Sequence, residues 1–73
     1  MVGTLSGRVV RLVREKGFGF VMGDDGIERF FHYTGVRAPG GLNALVEGMV
    51  VTFDPDQPRE GKGPRATNLD VAT

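Results

Sequence analysis

The chain has no cysteine. That excludes a disulfide framework, a thiol nucleophile and any thiolate zinc site, and it fits a reducing cytoplasm. There is a single histidine, and the carboxylates are not clustered. Asp24 and Asp25 share a turn, but no further ligand completes a cation site there. Nothing resembles a metal centre or a nucleophile–base pair, so no catalytic residue, metal or cofactor is expected and the chain does not read as an enzyme. No apolar run reaches the length of a membrane span, and the N-terminus lacks the basic-then-apolar pattern of a secretion signal, which points away from membranes and export. Net charge is absent as well. Nine basic and nine acidic residues give a formal charge of zero, so whole-molecule charge gives no argument for a polyanionic partner. Helical periodicity long enough for a core helix is missing, as are internal repeats and a domain linker.

What remains is ordinary for a soluble globular protein: 73 residues, 40% hydrophobic and 25% charged. Residues 1–73 are expected to form one domain, acting as a monomer, with a thin core and a stability of only a few kcal/mol. Charge distribution says more than its sum. Residues 1–22 hold Arg8, Arg11, Arg14 and Lys16 against Glu15 alone, a local positive excess beside the most distinctive part of the chain.

Five short strands are predicted. Gly7 to Val13 is the first; its arginines recur every third residue, which breaks a two-residue period and requires a bulge or strong local twist. Gly17 to Met22 and Ile27 to His32 follow, joined by the hairpin signal Gly23-Asp24-Asp25-Gly26. Residues 34–47 form the longest connection, with one short helical turn expected near Asn43 to Val46. Met49 to Phe53 is the fourth strand, Pro55 to Pro64 a polar loop, and Ala66 to Val71 the fifth strand. Such a pattern suggests an all-β, five-stranded antiparallel barrel, whose closure removes exposed strand edges. The expected core is Val9, Leu12, Val21, Ile27, Phe31, Val36, Leu45, Val50, Val51, Phe53, Leu69 and Val71.

Residues 16–20 read Lys-Gly-Phe-Gly-Phe, and Phe30-Phe31-His32-Tyr33 follows ten residues later. On a strand, Phe18 and Phe20 project from one face. Gly19 is read as clearing the space between the rings. In the second run Phe30 and His32 share one face, while Phe31 and Tyr33 point towards the other. A ring patch beside basic residues is a surface on which unpaired bases stack, since every base has a π-face.

These residues carry a resemblance. Gly7 to Val21, Phe30 to Tyr33, Glu47-Gly48, Phe53 and Gly63-Pro64 together resemble the bacterial cold-shock domain along nearly the whole chain. Lys16-Gly17-Phe18-Gly19-Phe20-Val21 matches the family's first ribonucleoprotein-type motif, and Phe30-Phe31-His32-Tyr33 is a close variant of its second. The resemblance implies an oligonucleotide-binding (OB-type) barrel that binds single-stranded RNA or DNA with little sequence preference, and an RNA chaperone that keeps transcripts unpaired. The RNA-recognition-motif fold is set aside: its signature needs an aromatic where Gly23 stands, two helices, and the opposite order of the two motifs.

Departures from the pattern matter. Arg11 stands where the family carries a tryptophan, and Leu12 at the following aromatic position. The aromatic often found in the long loop is missing, with Leu42 nearest. Arg29 replaces a valine and by parity faces the same way as Phe31. The expected nucleic-acid contacts are Arg11, Lys16, Phe18, Phe20, Phe30, His32, Tyr33 and Lys62. For Arg11 two readings stand: a guanidinium plane that stacks and neutralises phosphate, or a solvated charge. Tyr33 either stacks or caps the core. Arg8, Arg14, Arg37, Arg59 and Arg65 are read as solvated charges. The competing reading of the whole patch is a small barrel that grips a peptide or protein surface.

Overall fold

The computed structural model describes residues 4–56 and 63–72. Five strands, β1 (Leu5–Val13), β2 (Phe18–Gly23), β3 (Glu28–His32), β4 (Val50–Asp56) and β5 (Arg65–Val71), close into a barrel in the order β1-β2-β3-β5-β4. Neighbours run antiparallel except at the seam, where β3 and β5 run parallel with Phe30 opposite Arg65. The element boundaries follow the sequence reading to within a few residues. β4 continues through Pro55 and Asp56, past the Phe53 end expected from sequence, and the rest of the expected Pro55–Pro64 loop lies largely outside the described residues. The long connection holds two 3₁₀ turns, Tyr33–Gly35 and Gly41–Ala44, the second slightly earlier than expected.

The required bulge is at Val10. Val9 pairs with Val21 and Arg11 with Phe20, so one extra residue, Val10, stands between positions of β1 whose partners are adjacent on β2. Val9 is buried, while Val10 and Arg11 are both exposed. That extra residue returns Arg11 to the outer face already occupied by Arg8, which explains the three-residue step between them; Arg14 lies beyond β1, in a 3₁₀ turn.

Val9, Val21, Phe31, Leu45, Val51, Phe53 and Leu69 fill the interior, with Leu12, Val36 and Val71 packed partly against them. Two expected core residues lie outside. Ile27 ends the β2–β3 turn and is 43% exposed, and Val50 faces outward at 42%. Val50 and Val51 are adjacent on one strand, so only one can point inward. Leu42, Ala38 and Ala66 are buried instead.

Gly19 lies on the inward face. A Cβ there would come within 2.7 Å of Phe31 Cζ and 2.6 Å of the Arg11 carbonyl oxygen. Its missing side chain therefore makes room for Phe31 inside the barrel rather than for the rings outside, which corrects the reading from sequence.

Arg29 also faces inward and is only 7% exposed. Its guanidinium donates to both oxygens of Asp25, at 3.1 and 2.8 Å, and its Cζ lies 5.5 Å from the centre of the Phe53 ring. Gly23 leaves the space, since a Cβ there would sit 2.8 Å from Arg29 Nη1. The fork geometry and the ring face satisfy a buried cation that otherwise would be costly.

Candidate nucleic-acid interface

Three strands present one outer face, and their registers align the aromatic residues in rows. Arg11, Phe20 and Phe30 stand opposite one another across β1, β2 and β3; Val13, Phe18 and His32 form the next row. Phe18, Phe20 and Phe30 are each half-buried, packing on one another at the base while their outer surfaces meet solvent. Ring centres lie 6.0 Å apart for Phe18–Phe20, 5.5 Å for Phe18–Phe30 and 5.9 Å for Phe20–Phe30. The Phe18–Phe20 and Phe20–Phe30 pairs are edge-on, an arrangement that stabilises aromatic pairs beyond burial alone. The three rings form one contiguous cluster rather than three separate side chains.

His32 sits half-buried at the end of β3. The Thr34 backbone N–H donates to its Nδ1 at 3.3 Å, and the Thr34 hydroxyl lies 2.9 Å from the same atom. An Nδ1 that accepts from backbone assigns the proton of the neutral ring to Nε2, which becomes a donor for a base or phosphate. Tyr33 does not follow strand parity. β3 ends at His32, and Tyr33 opens a 3₁₀ turn, so its ring lies 4.5 Å from that of His32 and is 55% exposed. This corrects the expectation that it faces with Phe31. Gly17 supports it: φ there is +78°, and a Cβ would lie 2.9 Å from Tyr33 Cδ1. The Tyr33 N–H donates to the Gly17 carbonyl at 2.8 Å. Glycine is needed both for the left-handed backbone and for the ring's approach.

The expected cations fall into different places. Arg11 is exposed and in line with Phe20. Lys16 is exposed in the 3₁₀ turn Arg14–Lys16 and edges a cleft of about 440 Å³ shared with Arg14, Tyr33, Gly41 and Leu42. Lys62 lies outside the described residues. Arg14, read as a solvated charge, donates to the Leu45 carbonyl at 2.6 Å and so braces the long connection. Arg65, read the same way, is half-buried with its Cζ 5.7 Å from the centre of Phe30. Nothing local in the sequence signals this contact, because it depends on a parallel seam between residues 35 apart.

Among the described residues no group of three or more His, Cys, Asp or Glu side chains could hold a metal, and Asp25 is already engaged by Arg29. Nor, among them, is any helix long and apolar enough to cross a membrane. The face offers three half-buried rings, one imidazole and the exposed cations Arg11 and Lys16.

Comparison with known proteins agrees in extent. The model of the 'Cold-shock' DNA-binding domain matches residues 5–72. Cold shock protein ScoF of Streptomyces coelicolor is 44% identical over 68 residues, covering 92% of this chain and 97% of that protein. Cold shock protein 2 of Lactiplantibacillus plantarum is 42% identical over 55 residues, 75% of this chain and 79% of its own. The cold shock-like protein CspC of Bacillus cereus is 37% identical over 65 residues, with coverage of 89% and 95%.

Proposed function

The chain belongs to the cold-shock domain family, a nucleic-acid-binding family, and from that premise we propose that it binds single-stranded RNA or DNA on the outer face of β1–β3, as a cytoplasmic monomer and RNA chaperone that keeps transcripts unpaired. One observation carries this reading: Phe18, Phe20 and Phe30 form a contiguous platform with ring centres no more than 6.0 Å apart, half-buried at the base and flanked by Arg11 and His32 in register. Bases of a single strand stack on Phe18, Phe20 and Phe30. His32 and Tyr33, themselves in contact, extend the platform beyond β3. Arg11 and Lys16 neutralise phosphates, as does Lys62.

Such a face has little to say about sequence. Stacking uses the π-face common to all bases, whereas discrimination needs hydrogen bonds to base edges. A duplex hides those π-faces, so paired strands are poor ligands and the protein captures strands that have opened. Holding them open is the chaperone activity, and it needs no chemistry.

Titration of oligo(dT), oligo(rU) and a duplex of the same length at two salt concentrations tests the proposal. The single strands should bind more tightly than the duplex. Log affinity should fall with log salt by about 0.7 for each phosphate neutralised. Tighter binding to duplex contradicts the proposal, and binding without salt dependence favours a peptide-gripping barrel instead.

A further inference from the structure

The row that crosses the ring platform does not stop at β3. Arg11 faces Phe20, Phe20 faces Phe30, and at the parallel seam Phe30 faces Arg65. Two rings thus lie between two arginines, one on β1 and one on β5. The seam is fixed by the backbone, since the Phe30 N–H donates to the Pro64 carbonyl at 3.1 Å. Arg65 itself is half-buried, with its guanidinium carbon 5.7 Å from the Phe30 ring centre. Phe30, Gly63, Pro64 and Arg65 line an open groove of about 330 Å³, within the range of small-ligand sites of roughly 300–1,000 Å³.

We propose that Arg65 is a phosphate-binding residue that extends the site across the seam onto β5, with a base lying against Phe30 in this groove and the phosphate beside it held by the guanidinium. The inference rests on the reading of the outer face as a single-strand site. Three features favour a ligand role over a solvated charge. The side chain is half-buried beside a ring that the platform already uses, so part of its ordering cost is met before a strand arrives. A guanidinium is planar, stacks on aromatic faces and presents a fork that matches phosphate oxygens. Its position also mirrors Arg11, so two bases on Phe20 and Phe30 have a cation at either end. Asp56, the β4 neighbour of Arg65, does not consume it: among the described residues, the one ion pair within 4 Å is Arg29–Asp25.

The test uses fluorescence anisotropy of labelled oligo(dT) across a salt series, with the unsubstituted protein, Arg65→Gln and Arg65→Lys, and a thermal melt of each. Arg65→Gln should bind several-fold more weakly at low salt, its slope of log affinity against log salt shallower by about 0.7, one phosphate's share. Its melting temperature should be unchanged, and Arg65→Lys should recover the slope. If Arg65→Gln fails to fold, Arg65→Met keeps the apolar stem and carries the same slope test. An unchanged slope, or tighter binding on removing the guanidinium, overturns the proposal; the second result makes Arg65 a lid on Phe30. Absence of saturable binding by the unsubstituted protein overturns the single-strand reading itself, and so is distinguishable from failure at Arg65 alone.

Discussion

Arg11 stands opposite Phe20, so one end of the ring row carries a charge rather than another ring. If Arg11 stacks on a base and neutralises a phosphate, its removal has two signatures. Arg11→Ala should lose affinity and flatten the salt slope by about 0.7. Arg11→Trp should flatten the slope similarly while keeping or raising affinity at high salt, where stacking persists and charge is screened. Salt titrations of both variants check this. Affinity and slope both unchanged in Arg11→Ala mean a solvated charge. Gly19 makes a separate claim at the same scale. Its Cβ would meet Phe31 Cζ at 2.7 Å and the Arg11 carbonyl oxygen at 2.6 Å, so Gly19→Ala overpacks the interior. Denaturant unfolding should show a loss of about 1–3 kcal/mol, the usual cost of an added core methyl that forces shifts. An unchanged midpoint would mean that the barrel relaxes around it.

The β2–β3 hairpin pairs the buried Arg29 with the exposed Asp25 of its turn, and the energetics of this pair depend on pH. The Arg29 guanidinium, through its hydrogen bonds, holds the Asp25 carboxyl below its ordinary value of 3.8. Asp54 is held down in the same direction, first by the Asn68 amide and then by the Thr4 hydroxyl. A depressed folded-state pKa contributes stability that is present above the unfolded value and is lost as pH falls through the folded one. Thermal melts should therefore show stability falling as pH drops below about 4, and Asp25→Asn should lose less over that interval because its share is already gone. At neutral pH Asp25→Asn leaves the guanidinium against Phe53 without its counter-charge, so its melting temperature should drop. Adding Arg29→Met should restore part of the loss, since an apolar side chain of similar reach replaces an uncompensated cation. A double variant no more stable than Asp25→Asn would show that the pair's charge is not what matters there. This hairpin also shows what local sequence conveys. Gly23-Asp24-Asp25-Gly26 announced the turn, because Asp-Gly fits its backbone. Parity placed Arg29 inward but not its partner. Asp25 belongs to the turn, and only the folded hairpin sets its carboxylate against the Arg29 guanidinium, which lies over Phe53. Ile27 was misplaced for a related reason: it ends the turn, where alternation does not yet hold.

At the scale of the molecule, zero net charge is compatible with the proposed nucleic-acid site because Arg11 and Arg65 stand in one row with the rings of Phe20 and Phe30. The platform was legible from sequence, since strand alternation in two short aromatic motifs, Lys16–Phe20 and Phe30–Tyr33, places Phe18, Phe20 and Phe30 on one side of their strands. Closure was legible only as an architecture. The parallel β3–β5 seam pairs Phe30 with Arg65, residues too far apart in the chain for periodicity to relate, so Arg65 read as one solvated arginine among several. The Val10 bulge was demanded by the arginine spacing, but its position depends on the partner strand's register. Tyr33 escaped parity because β3 ends one residue before it, in a turn that Gly17 and the Thr34–His32 contacts define. Each of these cases is settled by long-range pairing, on which local pattern is silent.

The exposed faces of Phe18, Phe20 and Phe30 either bind the strand or merely cover the barrel. The direct measurement is oligo(dT) affinity of Phe18→Ala, Phe20→Ala and Phe30→Ala, each with a denaturant melt to fix its folded fraction. The expected result is a loss of about 1–3 kcal/mol in binding for each variant, the worth of one base–aromatic stack, with the barrel still folded. Variants that stay folded and bind like the unsubstituted protein, or that unfold so that binding merely tracks the folded fraction, would contradict it.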